Sequence, residues 1–253
     1  MTIRVLQQVQ EERPVRGGRR LTVACRDEIG VPAILLVPPH GSASVSAALL
    51  LHGHSSGKDG MADTIGRVLL THGVASLAID LPLRGELPGD GGEPAPPTVI
   101  DLLCHWSTSI ANATLGLRCL AGRPEVDPRR IGIVGYSVGC FVALAMAAAD
   151  PTVSALVLAA AGDLPISTAS ESLVRCIVDP VTWLRSLAGR PLLMMNGRRD
   201  AAVATDQAER LYAAAADPKE QRWYDGGAWL PPQAVQYGGE WLAARLGEGR
   251  GPG

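Results

Sequence analysis

Phenylalanine occurs once in the 253 residues, tyrosine four times and tryptophan five, so only 4% of the chain is aromatic. A core of this size must therefore be filled by aliphatic side chains, which suits buried parallel strands backed by helices. Neither sign of charge is in excess: 23 Lys and Arg stand against 25 Asp and Glu, a formal net charge of −2 with a pI near 6.2. That balance offers no field to draw a polyanion, so neither nucleic acid nor an anionic membrane surface is expected as a partner. No apolar run reaches the roughly 18 residues of a membrane span, and Met1-Thr2-Ile3-Arg4 lacks the apolar stretch of a secretion signal. Histidine is scarce and unevenly placed. His40, His52, His54, His72 and His105 are all there are, and none follows residue 105.

The five cysteines, Cys25, Cys104, Cys119, Cys140 and Cys176, show no CxxC or zinc spacing, and their odd number argues against a paired framework. Most lie among apolar residues, so buried free thiols in a reducing, cytoplasmic setting are expected. No cluster has metal-ligand spacing, and neither a metal nor an organic cofactor is implied. With 47% hydrophobic residues and a mean hydropathy of +0.14, the chain is expected to fold as one domain over residues 1–253.

What is present is an alternation of short β-rich apolar runs with longer helical stretches. Strands are expected at residues 21–25, 31–37, 46–51, 74–79, 131–134, 153–160, 191–195 and 221–224, about eight in all. Helices are expected at 59–72, 99–121, 138–149, 205–216 and 231–246. Residues 81–97, crowded with proline and glycine, read as an irregular excursion, 162–187 as a mostly helical insertion, and 247–253 as a fraying end. The alternation predicts an α/β fold: a mostly parallel twisted sheet flanked by helices, with chemistry just beyond the carboxyl ends of its strands.

Gly135-Tyr136-Ser137-Val138-Gly139 fits G-x-S-x-G, the nucleophile elbow. In that turn glycines leave room for a strained strand-to-helix backbone, and the serine is lifted to a helix N-terminus where N–H groups favour developing negative charge. The pattern is short enough to arise by accident, and Gly53-His54-Ser55-Ser56-Gly57 matches it too. Context separates them. Ser137 follows an apolar strand and leads directly into an Ala-rich helix, whereas Ser55 is followed by Gly57, Lys58, Asp59 and Gly60, which delay any helix.

From about residue 20 to 246 the chain resembles the α/β-hydrolase superfamily, nearer its dienelactone-hydrolase-like and acyl-esterase branches than its lipases. The resemblance implies an α/β-hydrolase fold and a serine hydrolase of the carboxylic-ester type acting on a small-molecule acyl substrate, with a short cap at about 162–187. Dienelactone hydrolases carry a cysteine nucleophile where this elbow has Ser137, and Cys140 lies inside the helix, where a core role is expected. The strand ending Leu51-His52-Gly53-His54 resembles the family's oxyanion loop, so the oxyanion hole would use the N–H groups of His54 and Val138. Ser55 either adds a hydroxyl there or only stabilises the loop. The family's acid follows a later strand, commonly as G-x-x-D, and Gly197 to Asp200 fits. Its work is to orient the base and stabilise its protonated form, against the plain alternative of capping the next helix.

The family's base should follow the last strand. Here the segment reads Tyr224-Asp225-Gly226-Gly227-Ala228-Trp229, so Ala228 stands where the histidine belongs. Two explanations compete: a His→Ala change made to stall turnover, or a naturally non-catalytic binding protein that kept the fold. Elbow, oxyanion strand and acid all remain, which favours the first. His52 belongs to the oxyanion strand and His105 to a helix, so neither is expected to substitute as base. An acyltransferase using an acceptor other than water is a further alternative. Tyr136 and Trp229, with Trp106 and Trp183, are candidates to line the pocket. Arg84, Arg198, Arg199 and Lys58 are candidates to draw an acidic group, against the ordinary reading of solvated charges. Self-association into a homodimer is left open by the sequence.

Overall fold

The computed structural model describes residues 8–15, 18–24, 30–39, 44–54, 56–82, 99–164, 174–187 and 189–247. Within them lie nine strands: β1 (Gln8–Val15), β2 (Gly18–Ala24), β3 (Val31–Leu36), β4 (Val45–Leu51), β5 (Ala75–Ile79), β6 (Val126–Tyr136), β7 (Val153–Ala159), β8 (Leu192–Gly197) and β9 (Lys219–Tyr224). They form one sheet in the order β1-β2-β3-β5-β4-β6-β7-β8-β9. The pairs β4–β5, β4–β6, β6–β7, β7–β8 and β8–β9 are parallel, and β1–β2, β2–β3 and β3–β5 are antiparallel.

The period-2 alternation of side chains sends each strand's residues to two separate cores. Leu49, Leu51, Leu77, Ile79, Ile133 and Leu158 share one core with α3 (Val99–Ala121) and α4 (Val138–Ala149). Leu50, Ala78, Val134, Val157 and Met195 share the other with Ile65 and Leu69, and with Trp241 and Leu242 of the C-terminal helix (Pro232–Gly247). Two covered faces explain why β4, β5, β7, β8 and the second half of β6 read as mostly apolar runs. Burying each such Leu or Ile is worth about 1.5–3 kcal/mol, and Leu49, Leu50 and Leu51 are fully buried.

The helix expected at 59–72 is present as α1 (Lys58–Met61) and α2 (Arg67–Thr71), joined without a break through a π-helical turn (Ala62–Gly66). The sheet has one strand more than the sequence signals. Gln8–Val15 is polar and contains Pro14, which hides it from an apolar-alternation criterion, but an edge strand tolerates both features. Strand β6 is longer than the expected 131–134, because Val126 pairs with Val45 beyond the polar Asp127–Arg130 stretch. The described part of the insertion is helical at residues 174–175 and in α5 (Pro180–Arg185), which is capped by Asp179 accepting the Thr182 N–H at 3.1 Å, while 165–173 lie outside the described residues. The remaining helices are α6 (Thr205–Ala214) and α7, the C-terminal helix already given. Residues 83–98 of the irregular excursion and 248–253 of the chain end also lie outside the described residues.

Candidate active site

Strand β6 ends at Tyr136, and the chain passes through Ser137 directly into α4. Ser137 has φ 50° and ψ −116°, a conformation non-glycine residues avoid, at a cost of order 1–3 kcal/mol. The surroundings fix it there. Its N–H donates to the Ala159 carbonyl at the end of β7 at 2.8 Å, and its carbonyl accepts the Cys140 N–H at 2.9 Å. The flanking glycines are required by approach distances: a Cβ on Gly139 would lie 2.4 Å from the Leu51 carbonyl oxygen, and one on Gly135 would lie 2.8 Å from Cys140 Cα.

The turn after β4 lies against this elbow. A Cβ on Gly53 would come within 3.2 Å of both Ser137 Cβ and the Tyr136 carbonyl oxygen. The next residue, His54, sits in a turn, and Val138 is buried at the first position of α4, where helical N–H groups lack partners within the helix. Residue 55, the other candidate in this loop, lies outside the described residues. His52 is fixed as a structural residue. Its Nε2 accepts the Leu81 N–H at 2.8 Å, so Nδ1 carries the proton and donates to the Gly53 carbonyl at 2.7 Å. His105 is exposed on α3.

Asp80, at the end of β5, braces the same loop from below, a role with no local sequence signal. It accepts the Lys58 N–H at 3.0 Å and the Lys58 ammonium at 2.7 Å. Burial opposes its charged form, but these bonds from Lys58 outweigh it and hold the carboxyl below its ordinary range. Lys58 is thereby committed to Asp80 and to Asp59 at 3.4 Å, which corrects its reading as a charge that might draw an acidic group. Arg198 is exposed and lies over the Trp223 ring at 5.6 Å, Arg199 is exposed, and Arg84 lies outside the described residues.

Asp200 follows β8. Its Oδ1 accepts the N–H groups of Ala202 at 2.8 Å and Val203 at 3.0 Å, so it caps a turn rather than α6, which begins at Thr205. Its Oδ2 is buried and has no hydrogen-bond partner. Leaving such an acceptor unpaired costs about 1–3 kcal/mol or more. The turn carrying Asp200 packs on the loop after β9: Arg199 N–H donates to the Gly226 carbonyl at 2.8 Å, and a Cβ on Gly197 would lie 2.1 Å from the Gly227 oxygen.

Ala228 is held from its other side by Tyr136, the residue before Ser137. The Tyr136 hydroxyl donates to the Ala228 carbonyl and accepts the Leu230 N–H at 3.2 Å. Burial, reinforced by the negative charge of nearby Asp200, pushes this phenol up to about 12. The hydroxyl of Tyr136, a candidate pocket residue, clasps the 228–230 main chain. Trp229 is 53% exposed with its ring 6.2 Å from that of Tyr136. Trp106 and Trp183 stack on each other at 5.4 Å, packed against a small apolar cluster of Val138, Leu164, Val174 and Val178.

Cys140 is buried, its thiol pushed up by desolvation and donating to the Ala159 carbonyl at 3.3 Å, as a core residue. Cys119 is also buried, as expected of a thiol among apolar residues, whereas Cys104 and Cys176 are exposed, and Cys25 lies outside the described residues. Among the described residues no group of three or more His, Cys, Asp or Glu is placed to hold a metal ion, and no helix is long and apolar enough to cross a membrane.

The fold has close counterparts. A cold-adapted esterase from an Arctic intertidal metagenomic library superimposes with a TM-score of 0.74 at 19% identity, covering 94% of this chain and 97% of that one. Acetyl xylan esterase 1 from Thermoanaerobacterium sp. does so at 0.73 and 17% identity, covering 96% and 89%. In sequence the chain is 30% identical over 192 residues to the uncharacterized protein Rv2307c of Mycobacterium tuberculosis, covering 72% of this chain. The chain spans 62% of that relative's length. The profile of the alpha/beta hydrolase family matches residues 48–250. With that match, and with the mostly parallel sheet, the elbow and the strand-end turns in the expected order, this chain belongs to the alpha/beta hydrolase family.

Proposed function

We propose that the chain carries the site of a serine hydrolase for carboxylic esters, lactones or thioesters, in a form lacking its general base. Ser137 is the nucleophile, Asp200 the acid, and residue 228 the place of the base. The His54 and Val138 N–H groups form the oxyanion hole. The observation that carries this reading is the buried Asp200 Oδ2 without a partner, on a turn packed against the loop that presents residue 228. A base at 228 would take the Ser137 proton as Oγ bonds to the acyl carbon, and return it to the leaving group as the C–O or C–S bond breaks. Water would then release the acyl group by the same steps. With alanine there, hydrolysis is expected to be slower by on the order of 10⁴- to 10⁶-fold, because triad members act as a unit.

The esterase superpositions agree with this chemistry at the level of fold. Alanine at 228 itself supports a second reading, a non-catalytic binding protein. Hydrolysis of a small p-nitrophenyl ester by Ala228→His separates the two. A gain of several orders of magnitude over the chain as it stands, abolished by Ser137→Ala, is expected of the hydrolase. A folded Ala228→His protein inert on esters, lactones and thioesters, with Ser137 unreactive to a fluorophosphonate, refutes it. Competing alcohols or amines in the same assay reveal acyl transfer by their acylated products.

A further inference from the structure

Of the five tryptophans, Trp229 alone is exposed: Trp106, Trp183 and Trp223 are half-buried and Trp241 is buried. A single exposed apolar side chain is ordinary, but this one is held in place next to the position of the missing base. The Tyr136 hydroxyl donates to the Ala228 carbonyl and accepts the Leu230 N–H at 3.2 Å, so the main chain is fixed on both sides of residue 229. The clasp needs only main-chain groups at 228 and 230, and does not itself account for a tryptophan between them. The Tyr136 ring lies 6.2 Å from the indole, tilted by 34°, and Tyr136 immediately precedes Ser137. The indole is therefore a preorganised surface bracketed by the elbow and the 228 loop, with 53% of the residue left in water.

Chemistry decides which part of an ester meets this surface. A base at 228 returns its proton to the leaving oxygen as the C–O bond breaks, so that oxygen faces residue 228. The alcohol part continues from there toward residue 229, while the acyl part stays on Ser137. Resting on the serine-hydrolase reading, we propose that Trp229 is a stacking platform for the alcohol part, and that this part is a sugar-type ring. An open platform covers one face of its ligand only. A wholly apolar ring would leave its other face in water at a cost. A pyranose instead lays a face of C–H groups on the indole and keeps the oxygens of its rim hydrated. The border of the platform is polar to match. Exposed Arg199 and Asp225 stand on the two turns that meet where the Arg199 N–H donates to the Gly226 carbonyl at 2.8 Å.

The chain as it stands, without its base, suits a binding measurement free of turnover. Two probes carry the same number of acetyl esters: a methyl xyloside triacetate, which has the ring, and glycerol triacetate, which does not. Binding is followed through the indole N–H resonances of the full chain. The xyloside ester is expected to bind roughly 3- to 10-fold more tightly, the scale of one aromatic ring contact, and to shift the Trp229 resonance. Trp229→Ala is expected to abolish the preference, and Trp229→Phe to keep part of it. In the Ala228→His background, Trp229→Ala is expected to raise KM for the xyloside ester by the same factor with kcat little changed, a split that a merely structural residue would not give. Equal affinity for the two probes, a preference that survives Trp229→Ala, or a preference shown by phenyl acetate and not by the xyloside ester overturns the proposal. If Ala228→His hydrolyses glycerol triacetate while Trp229→Ala leaves its KM for the xyloside ester unchanged, this inference alone falls. If Ala228→His is inert on every ester, the hydrolase reading falls and takes it along.

Discussion

Replacing Tyr136 by phenylalanine tests whether residue 228 is held in place by the residue next to the elbow serine. The hydroxyl serves two main-chain groups, the Ala228 carbonyl and the Leu230 N–H, and the substitution strips both of their partner while keeping the ring. At about 0.5–1.5 kcal/mol per net hydrogen bond, the loss amounts to about 1–3 kcal/mol. In a chain of this size about 1 kcal/mol lowers Tm by roughly 2–4 °C, so Tyr136→Phe is expected to melt roughly 3–9 °C below the parent. In the Ala228→His background the same change is expected to lower kcat by on the order of 10- to 100-fold with KM little altered, since a misplaced base costs the transition state and not substrate binding. The phenol is held at about 12, so its contribution is raised in the fold above its unfolded value near 10. The sign follows: this stability is complete below about pH 10 and is lost as pH rises through 12. An unchanged Tm together with an unchanged kcat in the double variant refutes the clasp.

Gly139→Ala is expected to destabilise the chain by about 1–3 kcal/mol or more, read as a fall in Tm, since its Cβ would lie 2.4 Å and 2.7 Å from the main-chain oxygens of Leu51 and His52 and neither can swing aside. A variant that melts normally removes the argument that β4 and the elbow are in forced contact. Asp80 is held low by Lys58, so its stability is present above about pH 4 and lost as pH falls through its depressed value. Lys58→Met should therefore move the onset of acid unfolding to higher pH, followed by circular dichroism, and an unmoved onset counts against the brace. Asp163 is buried, accepting from Arg175 at 2.9 and 3.0 Å with Arg210 at 3.6 Å, but both arginines are partly exposed. Asp163→Asn is expected to cost about 1–3 kcal/mol by thermal melting, below the value for a fully buried pair, and a loss under about 0.5 kcal/mol would show that solvent replaces the pair.

Most of the fold was legible because the parallel strands are buried on both faces. Val153–Ala159 and Leu192–Gly197 read as apolar runs bounded by turn residues, and α3 and α4 begin and end where their periodicity does. What stayed hidden was decided by pairing. Gln8–Val15 carries no apolar stripe, and only its partner β2 makes it a strand. The first half of β6 is polar through Asp127, Pro128, Arg129 and Arg130, and its assignment depends on Val45 across the sheet. In the described part of the insertion, the start of α5 is set by one local residue, Asp179, which caps Pro180–Arg185.

The candidate site was legible where a short motif enforces geometry and illegible where partners are far apart in the chain. The elbow and the Asp200 turn are local, whereas Tyr136 reaches Ala228 across 92 positions and Asp80 reaches Lys58 across 22. The distinction bears on what the alanine means. Gly135, Gly139 and Gly197 are demanded by close main-chain approach, so the fold needs them whether or not the protein is an enzyme. Ser137 at φ 50° and the unpartnered Asp200 Oδ2 are different, because each is a cost of order 1–3 kcal/mol that the fold does not require. Glycine at 137 would relieve the first without leaving the turn, and asparagine at 200 would keep an acceptor for the two N–H contacts while replacing the unpartnered carboxylate oxygen. A binding protein would gain stability from either change, so both costs beside an alanine favour a site arranged around a nitrogen base at 228.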